Sequence, residues 1–461
     1  MAHSRKTIFT LTALTGILVA SALGGAWYAY GQIGKTPGEL MDYAEHRLQG
    51  HNKLESVALP IIGVVRDVLD QPSKADMLKI PFVVPPPPPR YIAPPDSDST
   101  TESNALSNGR RVLHVGPEDE FPTIAAAAKA ARDDDIVEIM AGDYHGDVAL
   151  WGQKKLTIRT LGGNARLFAD GTSAEGKAIW VIRNGDFDIE NIDFIGAHVD
   201  DHNGAGIRFE DGNLHIKNCL FYGNDTGLLT TGSAGDLNIE DSEFAFNGFG
   251  DGQSHDLYVG RIRSLRITGS YFHHANVGHL LKSRAKKNFI YYNRLTDESG
   301  GRASYEVDLP DGGLAYVVGN IIEQNTQAQN STIIAYGEEG LAGPDNKLFL
   351  ASNTIVNDMP YGGTFLLAAP GTQRVVSINN LLVGKGTIER TAVAVESINN
   401  IRAGWEIFEQ ASRYDYRLNA RGRALSLTMP TMPEIIPRRE YAATRETHEL
   451  TKVPNYPGAV Q

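Results

Sequence analysis

Lysine, arginine, histidine and carboxylate side chains crowd one stretch of this chain, from His255 to Asp308. Between Leu257 and Arg302 lie nine Lys and Arg residues against two acidic ones, together with His273, His274 and His279. The chain as a whole carries a net charge of −12. A local basic concentration in an acidic protein marks a site for an anion, the bland alternative being a solvated face. Lys282, Arg284, His255 and His279 have the chemistry for catalysis. Asp256, Tyr258, Arg261, Tyr305, Glu306 and Asp308 have the chemistry for holding a substrate.

One reaction suits this set. Abstracting the C5 proton of a uronate needs a neutralised carboxylate, a base, and an acid for the leaving oxygen. Arg or Lys neutralises the carboxylate through charge-assisted hydrogen bonds. Lys, His or Tyr serves as base or acid once its pKa is tuned. Lys282 stands two residues from Arg284, and the basic field around it is expected to favour its neutral form. Reprotonation from the opposite face gives epimerisation instead of cleavage.

Other candidates read more simply. His273 and His274 follow Tyr271 and Phe272 at a turn and are expected to be structural or solvent-exposed. Asp133, Asp134 and Asp135 make a solvated turn. Cys219 is the single cysteine, so no intramolecular disulfide forms, and it reads as a small buried hydrophobe. No zinc motif and no phosphate loop is present. No metal and no cofactor is expected, and nucleic acid is not an expected partner.

Repeats must bring these residues together. Segments such as FDIENIDF, LHIKNCLF, LNIEDSEF, LRITGSYF, FIYYNRLT, AYVVGNII, LFLASNTIV and VVSINNLLV recur every 23 to 33 residues. Each is a short apolar strand, then Asn or a substitute, then more apolar residues. Asn191, Asn218, Asn293, Asn320, Asn353 and Asn380 are read as one ladder position, with Asp241 and Gly269 replacing Asn. Asn suits stacked turns because its amide bonds along the stack and tolerates left-handed geometry. The period predicts an all-β solenoid of about nine or ten coils.

A second strand follows each ladder position: AGIRFED, TGLLTTG, HDLYVGR, GHLLKSR, SYEVDLP and TIIAYGE. The first two and the last look bland. Neighbouring strands of a parallel stack lie about 4.8 Å apart, so Asp256, Tyr258, His279, Lys282, Arg284, Glu306 and Asp308 are expected to converge. Glu306 and Asp308 flank Val307 and are expected to share a face. Lys282 points outward if Leu281 faces the core and Leu280 does not.

The flanks divide the rest. Residues 1–35 read as a signal anchor: Arg5 and Lys6 precede an uncharged run from Thr7 to Tyr30, long enough to span a bilayer. This predicts a single-pass protein of a bacterial inner membrane with its C-terminal domain in the periplasm. A cleaved signal peptide, with Ala20-Ser21-Ala22 at the cut, exports the domain equally. Residues 36–80 predict a helical stalk. Residues 81–109 read as a proline-rich spacer and a Ser-rich linker. The folded domain is expected over 110–420, and 421–461 as a wrap or tail.

Two resemblances carry further expectations. RVLHVGPEDEFPTIAAAAKAARDDDIVEIMAGDYHG resembles the opening of pectin-lyase-like right-handed parallel β-helices, where a short helix covers the first coil. That resemblance implies the same fold over about 110–420. The LKS of Lys282, followed by Asn288 and Tyr291-Tyr292-Asn293, is similar to the lysine-bearing coil of β-helical chondroitin and alginate lyases, and implies that Lys282 is the base. SHDLYV resembles the His-Asp motif of mannuronan C5-epimerases and implicates His255 and Asp256.

Three functions stand at this point. The first is a membrane-tethered lyase or epimerase acting on an acidic, uronate-containing polysaccharide. The second is a noncatalytic polysaccharide-binding scaffold. The third is a glycoside hydrolase, which needs paired carboxylates about 5 to 9.5 Å apart.

Overall fold

The computed structural model describes residues 41, 52–69, 81–92, 109–232, 235–360, 362–425, 427, 432–442, 445–452 and 455–459. The expected anchor lies outside them. Among the described residues no helix is long and apolar enough to cross a membrane. In the expected stalk, one helix runs from Asn52 to Leu69 and continues through Pro60.

From Arg110 onward the chain winds as a parallel β-solenoid of about ten turns. Each turn adds one strand to a ten-stranded sheet and, in most turns, two to a 21-stranded sheet. Strand pairing within the solenoid is parallel, in register through the coils that carry the candidate residues and shifted between Met140 and Gly142 near its start. Inward positions stack like with like: Leu228, Leu257, Leu281, Val307 and Ile334 pair along the ten-stranded sheet. Phe194, Phe221, Phe244 and Phe272 stack inside the solenoid with ring centroids 4.5 to 5.1 Å apart. Such aromatics bury large apolar areas, and the stack repeats the contact at every turn.

The Asn ladder exists but occupies two adjacent positions, not one. Asn191, Asn218, Asp241 and Gly269 take positive φ, and their successors at that position are Tyr292, Gly319, Ser352 and Asn379. Asn293, Asn320, Asn353 and Asn380 sit one residue later and are buried. From Asn320 onward in this row, each Oδ1 accepts from the backbone N–H and the amide of the residue one turn before, at 2.9 to 3.1 Å. Ser270 and Ser242 extend this row with hydroxyls. Asn suits the two positions for different reasons, backbone permissiveness at one and amide stacking at the other. A one-residue offset was therefore invisible in the repeat.

A helix, Ile124–Ala130, opens the domain and buries Ile124, Ala127 and Ala128 in the core. Asp147 accepts from the free N–H groups of Ile124 and Ala125 at 2.6 and 2.9 Å, which satisfies its first turn. The proline-rich segment 81–92 lies against the solenoid. Tyr222 donates to the Pro85 carbonyl at 3.0 Å, and Phe82 packs on Phe246. Gly163 pairs with Ile92, and a Cβ there would meet the Tyr91 carbonyl at 2.3 Å. At the other terminus Ile407, Phe408, Tyr416, Leu418, Tyr441 and Ala459 cover Ile321, Val356, Leu381 and Val383 of the 21-stranded sheet.

Candidate functional site

Three strands of the ten-stranded sheet, Leu257–Val259, Leu281–Ser283 and Val307–Leu309, position the candidate residues. Their register sets Tyr258 beside Lys282 and Lys282 beside Asp308. Leu257, Leu281 and Val307 turn into the core, so the three polar side chains face outward. Leu280 is buried in the same core, yet Lys282 still points out, because Leu280 precedes the strand and follows the bend.

The outward row is an ion-pair network. Lys282 Nζ donates to Asp308 Oδ2 at 3.0 Å and to Glu339 Oε1 at 2.9 Å. Arg284 donates through Nη2 to Glu339 Oε2 at 2.5 Å, through Nη1 to Asp311 Oδ1 at 2.6 Å, and through Nε to the Tyr258 hydroxyl at 3.1 Å. Arg261 reaches the other Asp311 oxygen at 2.6 Å. One carboxylate, that of Glu339, is thus gripped by two cations from one strand and the residue after it. Asp308 and Asp311 are buried at 3% and 7% side-chain exposure, whereas Glu339 is 49% exposed.

This network corrects the expected state of Lys282. Burial works against its charge, but the Asp308 and Glu339 carboxylates outweigh it and hold its pKa above the ordinary value. Lys282 is an ammonium here, not a neutral base. Burial pushes Asp308 up to about 6 despite the lysine beside it. Glu339 goes the other way: partial burial works to raise it, but Lys282 and Arg284 overcome that and hold it below the ordinary value.

The histidines form a stacked ladder beside the network. His255, His279 and Tyr305 lie nearly parallel, with centroids 4.8 and 5.0 Å apart, and Tyr258 stacks on His255 at 5.7 Å. His255 Nδ1 accepts from the His279 backbone N–H, and His279 Nδ1 accepts from that of Tyr305, both at 3.0 Å. Those bonds leave the proton of each neutral ring on Nε2, and His279 Nε2 faces Asp308 at 3.4 Å. Burial is the main cause that lowers both pKa values, His255 to about 3. Both rings are neutral, and Nδ1 of each is already committed. The Tyr305 hydroxyl donates to Glu338 at 2.6 Å.

Two expected substrate contacts are not at this surface. Asp256 is fully buried and accepts from the Asn247 amide at 2.8 Å. Glu306 is also fully buried and does not share a face with Asp308. The strand begins only at Val307, so alternation does not extend back to Glu306, which turns inward to Gln324 at 3.4 Å. Burial raises both carboxyls well above the ordinary range, with Asp297 and Glu323 adding to Glu306. Both are interior groups whose neutral form burial favours. His273 and His274 bond each other at 2.7 Å, and His273 reaches Glu243 at 3.2 Å, away from this network.

Asp311, Glu338 and Glu339 escaped the sequence reading. Glu339 follows the strand Thr332–Tyr336, whose sequence looked bland. The pair Glu338-Glu339 between Gly337 and Gly340 was the available signal. With these residues counted, Arg261, Lys282 and Arg284 pair with Asp308, Asp311 and Glu339, and Glu338 pairs with the Tyr305 hydroxyl. Among the described residues no group of His, Cys, Asp and Glu is arranged to hold a metal ion. Comparison with protein-family models, with curated proteins and with solved structures finds no match to this chain.

Proposed function

We propose that this protein binds an acidic, uronate-containing polysaccharide along the outward face of the ten-stranded sheet and acts on it by C5-proton abstraction, as lyase or epimerase. The observation that carries the proposal is the seat formed by Lys282 Nζ and Arg284 Nη2, which grips a carboxylate at 2.9 and 2.5 Å. A uronate carboxylate has the same charge and the same two oxygens, and charge-assisted bonds of this kind are the strong ones. Tyr258 and Tyr305 lie beside the seat, stacked on His255 and His279, with hydroxyls bonded to Arg284 and Glu338. In the same reading the solenoid is right-handed and pectin-lyase-like, its first helix covers the open end, and the N-terminal segment tethers it outside a bacterial inner membrane.

Turnover requires Lys282 to lose its extra proton before it takes the one from C5. That proton leaves to solvent against the hold of Asp308 at 3.0 Å and Glu339 at 2.9 Å, so the step is favoured by alkaline pH. In the elimination the C5 proton goes to Nζ, the C4–O bond breaks as C4=C5 forms, and the Tyr258 hydroxyl protonates the leaving oxygen. A noncatalytic scaffold is the second reading. It is favoured by Lys282 being held charged and both histidines being locked by Nδ1 bonds.

The experiment is incubation of the full-length protein with a panel of uronate polymers. New ultraviolet absorbance from an unsaturated uronate supports the lyase. Deuterium uptake at C5 without cleavage supports the epimerase. Saturable binding with neither supports the scaffold, and no binding to any polymer overturns the proposal.

A further inference from the structure

The carboxylates around Lys282 and Arg284 fall into two kinds. Asp308 and Asp311 are nearly inaccessible and hold the two cations from beneath, at 3.0 and 2.6 Å. Tyr258 adds a third support, to Arg284 at 3.1 Å. Glu339 is half-exposed and reaches the same cations from the solvent side. Its removal leaves both cations positioned by the other three groups.

The backbone beneath Glu339 is fixed. Its N–H donates to the Pro310 carbonyl at 3.2 Å, and Gly340 N–H closes the turn on Gly337 at 3.1 Å. Gly337 and Gly340 carry the positive φ values, 76° and 115°, that the turn requires. Leu341 packs against Gly312 and Gly337 and anchors the chain as it leaves the turn. Glu339 therefore leaves the seat by rotating its side chain into solvent, with no movement of the turn. Half-exposed ion pairs contribute little net stability, so the exchange is inexpensive.

We propose that Glu339 is a built-in competitor that occupies the carboxylate seat of Lys282 and Arg284 and is exchanged for the carboxylate of an incoming uronate. The inference rests on the polysaccharide reading above and adds regulation to it. A seat filled by its own chain binds external ligand in proportion to the time it stands open. The same internal carboxylate keeps the two cations from collecting unrelated anions.

The test is titration of uronate oligomers into the full-length wild type, Glu339→Gln and Glu338→Gln proteins at one ionic strength. Glu338→Gln removes the same charge from the same turn but faces Tyr305 and not the seat. The expected result is an affinity gain of roughly tenfold or more for Glu339→Gln and a much smaller gain for Glu338→Gln. Equal gains mean that only the overall field changed, and they overturn the competitor role while leaving the binding reading intact. No change in Glu339→Gln does the same. Absence of binding in all three proteins overturns both.

Discussion

Glu306 and Asp308 stand two residues apart, one on either side of Val307, and live in opposite environments. Asp308 is on the outward face, bonded to Lys282 and beside His279. Glu306 is in the interior corner, near Asp297 and Glu323, with an amide as its partner. Its Oε1, the Asp256 Oδ2 and the Asp308 Oδ1 have no hydrogen-bond partner among the described residues. The outer carboxyl is a fixed support for a lysine, and burial favours the protonated form of the inner ones. Both kinds of carboxyl come from the same coils. Where a strand begins decides which kind a residue becomes.

The largest effect expected from a single substitution that breaks this contrast is that of Lys282→Ala. It strips the buried Asp308 of its countercharge and should cost about 3–5 kcal/mol of stability, measured by denaturant unfolding. Alkaline pH should act at least as strongly on the interior set. Asp297 is pushed up to about 8 by burial, and Asp256, Glu306 and Glu323 are also raised. A carboxyl with a raised folded pKa contributes fully below its unfolded pKa, and that contribution is lost as pH climbs through the folded value. From Asp297 alone the loss between about pH 4 and about pH 8 is roughly 5 kcal/mol, so thermal melting should fall steeply over that range. A flat melting profile from about pH 5 to about pH 9 would show the corner to be ionised already.

Smaller effects separate the two sides further. Asp308→Asn should cost about 1–3 kcal/mol, because Lys282 keeps Glu339 but loses its buried partner. Glu306→Gln mimics the protonated acid and should stay within about 1 kcal/mol of wild type near pH 6, with a flatter alkaline decline. Glu339→Gln should change stability least, by about 0.2–1 kcal/mol, as half-exposed pairs do. Denaturant unfolding of the three variants at matched pH checks that order.

Much of the fold was legible because a solenoid writes its period into the chain. The phrases from FDIENIDF to VVSINNLLV mark stacked strands, and the ten-stranded sheet is built from the second strands. Register within a repeat was less legible. Asn suits two adjacent positions, and this merged Asn218 with Asn293 although one is in the left-handed turn and the other is in the buried row. Alternation failed at Glu306 because odd-even parity along the chain says nothing about where pairing starts. The convergence of Tyr258, Lys282 and Asp308 was legible from strand stacking alone. Their countercharges were not, since Glu339 lies 55 residues from Arg284 and enters from a turn beyond the coils that looked charged. The charged state of Lys282 depends on those missed residues.

The central claim is that Lys282 and Arg284 form a carboxylate seat for a uronate polymer. Arg284→Gln tests it most directly, because Asp311 retains Arg261 and Lys282 retains Asp308. Calorimetric titration of uronate oligomers should show saturable, salt-sensitive binding to the wild-type protein. Binding should weaken by roughly tenfold or more in a folded Arg284→Gln variant, as expected for loss of a charge-assisted bond. Undiminished binding in that variant, or no binding to the wild type, would contradict the account.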